Sequence, residues 1–204
     1  MVYLYRMNFL AHAYLSFGNK EILLGNMISD FVKGSQQYRY PSVIHKGIVL
    51  HRCIDSFTDA HPVTKEAKEV FRSEYRLYSG AFVDVVYDHF LAKDLSEFNT
   101  EEELRQFAQQ CYQSLNTQQQ WMPKQFARMF QYMKTQDWFS NYRSQWGIMR
   151  SFNGLVMRSS FLHDASKAGV LLQSNYDFLE NCFLKFWKDL KPFAKNKLEE
   201  LINT

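Results

Sequence analysis

An all-α fold is predicted, on three observations. Glycine and proline are scarce, eight and four in 204 residues, and so few chain-breakers suit long helices better than a turn-rich β architecture. Apolar residues recur with helical periodicity through most of the chain. The 46% hydrophobic content, with 18 Phe and 12 Tyr, supplies one sizeable core padded with rings. No internal repeat and no linker interrupts the pattern. One helical-bundle domain over residues 1–204 is therefore expected.

The first helix is expected over Met7 to Phe17, nearly all apolar but carrying Asn8 and His12 four residues apart. Gly18-Asn19 stops it. Glu21 to Val32 resumes the pattern, with Asn26 and Asp30 again four apart, and Gly34 ends it. A polar loop, Ser35 to Tyr40, leads into a long helix from about Val43 through Asp59. Pro62 suits the first turn of the next helix, and Thr64 to Arg76 is amphipathic and strongly charged, a surface helix. After Ser79-Gly80, Ala81 to Asp94 places Asp84 and Asp88 four apart in apolar company, with His89 directly following.

The second half reads similarly. Thr100 followed by Glu103 is a capping box opening a helix to about Leu115. Pro123 starts another, a further one begins at Asp137 or Ser140 and ends near Gly147, and Met149 to Phe161, Lys167 to Leu190 and Pro192 to Ile202 complete the set.

A net charge of +3 is too small for the concentrated basic footprint of a nucleic-acid binder, though compatible with an acidic partner. Cys53, Cys111 and Cys182 are odd in number and lack CxxC spacing, so neither a disulfide framework nor a thiolate zinc site is indicated, and a reducing cytoplasm is the expected location. No signal-peptide pattern and no apolar run of membrane-spanning length is evident. HExxH, ExxH, GxSxG, P-loop and GxGxxG motifs are absent.

What remains is a set of His, Asp and Asn residues in the first ninety positions. On a helix, His51 and Asp55 point the same way with Asp59 one turn further. The neighbouring Ile48, Val49, Leu50, Ile54 and Phe57 cover too much of the circumference for an exposed face. Buried carboxylates and imidazoles need partners. Histidine and carboxylate without thiolate suit a divalent ion of the Mn, Fe, Mg or Zn group, projected inward from bundle helices. Such an ion activates water and neutralises phosphate charge, the combination phosphoester hydrolysis requires.

Four blocks in order then carry a resemblance: Met7 to His12, Gly25 to Gly34, Gly47 to Asp59 with its His51-Arg52-Cys53-Ile54-Asp55, and Tyr87 to Leu91. They resemble the motifs of the bacterial acyl carrier protein phosphodiesterases. Weaker similarity continues through Tyr142-Arg143, Gly154 to Arg158, Tyr176 to Glu180 and Phe186-Trp187. The family pattern begins at Met7, so residues 1–6 are expected to be an extension. The resemblance implies a helical enzyme, an atypical relative of the HD-domain phosphohydrolases, using Mn2+ or a similar ion such as Mg2+ or Fe2+. It implies cleavage of the phosphodiester joining 4′-phosphopantetheine to a serine of holo acyl carrier protein. The alternatives are an HD-type hydrolase of a nucleotide or other small phosphodiester, and a catalytically silent carrier-protein binder. The literal His163-Asp164 lies outside the matching blocks and is set aside.

Candidate roles follow. His51 and Asp55 are proposed metal ligands, against the plainer reading of a buried pair that locks a helix. Asp88 and His89 are further candidates, although adjacent residues diverge by about 100° on a helix. Asp30 is a fifth ligand or the base for the attacking water. His12 is a ligand or the acid for the leaving serine oxygen, against a satisfied core histidine. Asn8 and Asn26 are orienting groups on the substrate side. Asp59 and Asp84 fix imidazole tautomers, Arg52 offsets phosphate charge or pairs with Asp55 or Asp59, and His61 is a helix-entry residue. An acidic carrier protein needs a basic landing area, for which Lys33, Arg39 and Lys46 are candidates, with the run Lys185, Lys188, Lys191, Lys195 and Lys197 as the other possibility.

Overall fold

The computed structural model describes residues 9–159 and 161–203, all helix and connecting turns with no strand among them. In chain order the helices are α1 (Phe9–Tyr14), α2 (Lys20–Ile28), α3 (Ser42–Ala60), α4 (Pro62–Tyr75), α5 (Ser79–Lys93), α6 (Glu101–Asn116), α7 (Lys124–Thr135), α8 (Trp138–Asn141), α9 (Gln145–Arg158), α10 (Ser166–Ser174) and α11 (Tyr176–Asn203). The all-α expectation is met. Among the described residues no helix is long and apolar enough to cross a membrane, and all three cysteines are free.

The buried apolar residues form one core running from Phe9 to Leu198. Its centre is α5, in which every residue from Ala81 to Ala92 is buried, as expected of a helix that is apolar on all sides. Helices α1, α4, α9 and α11 pack around it. By contrast α4, α6 and α7 bury single stripes, the first through Thr64, Ala67, Phe71 and Tyr75.

Several elements depart from the sequence expectation for identifiable reasons. At Thr100 the hydroxyl accepts from the Glu103 N–H, 3.1 Å, but the returning Glu103 carboxylate takes the Asn99 N–H instead, 2.8 Å, so the box closes one residue early. The predicted Lys167 to Leu190 helix divides at Asn175, whose N–H bonds to Leu171 and Leu172 close α10. From Tyr176 the chain then runs helically through Pro192 to Asn203. Pro192 is exposed, so the carbonyl it leaves without a donor can turn to water.

Most consequential for the site is the close of α2. Helix geometry ends at Ile28, and a 3-10 turn, Ser29–Phe31, tightens the chain and carries Asp30 round to α3. A second 3-10 segment, Gly34–Arg39, occupies the predicted polar loop. Arg52 on α3 holds both: Nη1 donates to Gln37 Oε1 at 2.7 Å and Nη2 to the Val32 carbonyl at 3.1 Å.

Helices α2 and α3 cross in backbone contact. A Cβ on Gly25 would stand 2.1 Å from the Ile44 carbonyl oxygen and 2.8 Å from Gly47 Cα, and one on Gly47 would stand 2.4 Å from the Ile22 carbonyl oxygen. Any side chain there meets backbone, which cannot swing aside. Gly47→Ala is therefore expected to destabilise the fold by about 1–3 kcal/mol or more, read as a lowered urea midpoint, whereas Gly80→Ala, which faces only the flexible Lys68 side chain, should leave the midpoint nearly unchanged.

Candidate metal centre

The crossing sets the positions of the polar groups. Asn26 follows Gly25 on α2, and His51 lies one turn after Gly47 on α3. His51 Nδ1 donates to the Asn26 carbonyl at 2.7 Å. On the other side of Asn26 lies α1, whose His12 contacts its side chain. Asn26 is fully buried and its amide is completely engaged: Nδ2 donates to the His12 carbonyl at 2.8 Å and to Ser16 Oγ at 3.2 Å. Those two acceptors fix the amide orientation. Oδ1 must then be the acceptor at 2.8 Å from His12 Nδ1, so this nitrogen carries the proton.

Both imidazoles thus have Nδ1 as donor, so that in the neutral form of each ring Nε2 is the lone-pair position. The rings stack, with centroids 3.9 Å apart and planes 17° from parallel. Neither Nε2 makes a hydrogen bond of proper geometry, although both are buried. Each stands 3.3 Å from an Asp55 oxygen, His12 from Oδ1 and His51 from Oδ2. His51 Nε2 is also 3.4 Å from Asp30 Oδ1. These separations exceed the 2.7–2.9 Å typical of a charge-assisted hydrogen bond. Atoms about 2.1 Å from one ion in tetrahedral or octahedral arrangement stand roughly 3.0–3.4 Å apart, which matches.

Among the described residues, one group of three such side chains brings a ligand atom from each within 4.8 Å of every other: His12, His51 and Asp55. Two imidazole nitrogens and a carboxylate suit a divalent transition ion. Electrostatics agree. Burial disfavours charge on His51, yet Asp55 and Asp30 overcome it and lift its pKa to about 10. Burial and the neighbouring His51 lower that of His12. Burial raises Asp55, but the two imidazoles hold it well below the usual carboxylate range. Asp55 and Asp30 thus favour positive charge at His51, carried by the imidazolium proton in the absence of a cation.

The other predicted residues have different positions. Asp88 is fully buried and caps α1, accepting from Leu10 N at 3.0 Å and Ala11 N at 2.8 Å. Its carboxylate therefore lies at the positive end of that helix rather than in the His12 cluster. His89 diverges from it: Nδ1 donates to the Tyr142 carbonyl at 2.7 Å and Nε2 lies 3.0 Å from the Tyr176 hydroxyl. Both ring nitrogens are occupied away from the triad, and burial, with Lys93 and Arg143 nearby, lowers its pKa to about 4. The structure does not bring the expected ligands Asp88 and His89 to His51.

Asp59 pairs with Lys68 at 2.8 Å, linking α3 to α4, and Asp84 borders a small cavity with Thr58 and Tyr87; neither meets a triad imidazole as a tautomer-fixing partner. That role falls to Asn26, expected on the substrate side but enclosed behind the rings. Arg52 braces the Asp30 segment and meets neither Asp55 nor Asp59. His61 lies 3.3 Å from Asp189. Lys33 and Arg39 are exposed on the segment that follows Asp30, and Lys46 donates to the Ile202 carbonyl at 3.4 Å. Lys191 and Lys197 are paired with Glu97 and Glu200. His163 and Asp164 are exposed, the latter accepting from Ser166 N at 2.8 Å. Asn8 lies outside the described residues.

Sequence reasoning missed Ser16 and the paired glycines. Gly25 and Gly47, each immediately before or one turn from a site residue, were the available signal.

Fold and site together define a helical protein with two stacked histidines and an aspartate arranged as a candidate metal triad. Residues 7–190 match the family described as acyl carrier protein phosphodiesterase. Proteins of that name from Enterobacter sp. (strain 638), Klebsiella pneumoniae subsp. pneumoniae and Escherichia coli O139:H28 are 35%, 34% and 32% identical to it over 191 residues, 94% of this chain and 99% of each of theirs. This chain belongs to the acyl carrier protein phosphodiesterase family. No solved structure matches it.

Asn26→Ala keeps the backbone carbonyl that holds His51 but removes the side chain that orients His12, and should weaken Mn2+ binding about 10- to 100-fold while circular dichroism still reports a helical protein; calorimetric titration measures the first.

Proposed function

We propose that this chain hydrolyses the phosphodiester that joins 4′-phosphopantetheine to a serine of holo acyl carrier protein, releasing apo carrier protein and 4′-phosphopantetheine. Its relatives' name supports the reaction class. The observation in the chain itself that carries the reading is the pair of bare Nε2 atoms beside Asp55, a donor set of the kind that serves metal-assisted phosphoester hydrolysis. His12, His51 and Asp55 would hold the ion, with Mn2+ the first choice and Mg2+ or Fe2+ the others. When bound, such an ion lowers the pKa of a water and offsets phosphoryl charge.

The chain's own groups supply the rest. Asp30, about a quarter exposed at its side chain, borders the triad from a 3-10 turn and is placed to take the proton from water as its oxygen adds to phosphorus. The bond from phosphorus to the serine oxygen then breaks. That oxygen gains a proton from solvent at the partly open side of the site, where Asp55 is also about a fifth exposed. Asn26 holds both rings in the tautomer that leaves Nε2 unprotonated, and Arg52 keeps the Asp30 segment against α3. Lys33 and Arg39, exposed on that same segment, form the basic rim on which an acidic carrier protein docks. Rim contacts of this sort act mainly on the association rate.

Incubation of a cognate holo carrier protein with the chain and Mn2+, followed by intact mass, should show loss of the phosphopantetheine mass, and chelator should prevent it. Asp55→Ala should lower the rate at least 100-fold with the fold retained. An unchanged carrier-protein mass with Mn2+-loaded protein rejects the proposed substrate. Turnover that survives both chelator and Asp55→Ala rejects the proposed site.

A further inference from the structure

Beyond the triad, a pocket of about 310 Å³ lies between α5, α9, α10 and the start of α11. Its polar lining is His89, Lys93, Arg143, Gln145, Gln173 and Tyr176, and no carboxylate lines it. Lys93 faces this cavity with no carboxylate partner among the described residues, and Arg143 beside it is paired with Glu101 on its far side, so the cavity keeps a net positive charge that a bound anion offsets.

The hydrogen bonds at its wall have a definite direction. The Tyr142 carbonyl takes the proton of His89 Nδ1 at 2.7 Å, so Nε2 is an acceptor, and the Tyr176 hydroxyl donates to it at 3.0 Å. The Tyr176 oxygen in turn accepts from Lys93 Nζ at 2.6 Å. This anchors Lys93, whose ammonium also lies 5.0 Å from the Tyr176 ring centre. Two of its three N–H bonds remain for a ligand, and Lys93 pairs with no carboxylate among the described residues. Arg143 is held likewise, Nε at 3.0 Å from Glu101 and Nη1 at 3.1 Å from the Ala92 carbonyl. Its Nη2 has no hydrogen-bond partner among the described residues. The imidazole stays neutral, since burial and both cations lower its pKa to about 4. Positive charge and spare donors are thus preorganised at two anchored side chains, with two amides beside them.

We propose that this pocket is a binding site for a phosphate-class oxyanion, either inorganic phosphate or the phosphoryl end of a small phosphomonoester. Lys93 comes from α5, Arg143 from the turn before α9, Gln145 from the first turn of α9 and Gln173 from α10. Donors from several elements thus line one cavity, and a tetrahedral oxyanion offers acceptor oxygens in more directions than a planar carboxylate. Lys93 supplies the net positive charge for an anion, and Arg143, though paired with Glu101 through Nε, adds a further N–H donor. The site is distinct from the triad: His89 and Asp88 leave α5 in different directions, and the latter caps the helix that carries His12.

The test is calorimetric titration of the full chain with inorganic phosphate and with glycerol 3-phosphate, each in chelator so that no metal contributes, and with acetate for comparison. Saturable binding of either phosphate compound, with acetate at least 10-fold weaker, is expected, and whichever compound binds tighter names the source. Lys93→Met and Gln173→Glu, both at exposed positions, should each weaken it at least 10-fold in protein that remains helical by circular dichroism. The proposal is overturned if neither phosphate compound binds saturably, if acetate binds as tightly, or if both variants bind like the parent chain. Because chelator removes the metal, these outcomes are independent of whether the triad hydrolyses anything.

Discussion

The contact of α2 with α3 at Gly25 and Gly47 is the constraint on which the rest of the site depends. Two helices bearing ordinary side chains pack with axes 8–10 Å apart; here the missing Cβ atoms let backbone meet backbone. Only at that approach does the Asn26 carbonyl come within 2.7 Å of His51 Nδ1. The same residue, through its side chain, reaches α1 and orients His12. One asparagine between two helices therefore sets both rings, and its buried amide leaves no alternative orientation without an unmatched polar group. An unmet buried donor or acceptor costs about 1–3 kcal/mol, so the network favours a single arrangement.

A second device fixes α1 from the other side. Asp88, from the buried central helix α5, accepts the Leu10 and Ala11 N–H groups. A six-residue helix is too short to be stable alone; capping by a carboxylate from the core gives it a defined place. His12 is thereby held between Asp88 at one end of α1 and Asn26 along its side. Asp88 thus supports the site through the helix it caps. Its pKa is pushed well above the ordinary carboxylate range by burial, with the two N–H donors opposing.

The helices were legible in the sequence because their signals are local: apolar spacing, Thr100 as a cap, Pro62 at a first turn; the Ser144 cap, which starts α9 at Gln145 rather than at the expected Met149, was not read. Half of the site was legible for the same reason. His51 and Asp55 share a helix face by spacing alone, and the polar pairs in apolar helices marked where a buried network had to lie. What spacing could not show was which pairs meet. Asp88 and His89 look like ligands because they are acid and imidazole inside a core helix, yet one turns to the end of α1 and the other to Tyr142 and Tyr176. Their directions depend on how α1, α9 and α11 dock on α5, and nothing within the motif encodes that. His12 presented the opposite case. A lone histidine on an apolar helix reads equally well as core, ligand or acid, and only the tautomer imposed by Asn26 leaves its Nε2 toward Asp55. Asn26 itself was expected beside the substrate because asparagines commonly orient ligands; full burial places it behind the rings.

The central claim is that Nε2 of His12 and of His51, with Asp55, face one divalent cation while His89 stands apart. Nitrogen-15 spectra of histidine-labelled protein test it directly, since the chain has six histidines and each ring nitrogen reports separately. On titration with Zn2+ as a diamagnetic stand-in, the account predicts that the Nε2 resonances of His12 and His51 alone move to metal-bound positions, with their Nδ1 resonances still protonated. Movement of His89, or no change at His12 and His51 under saturating metal, would contradict it.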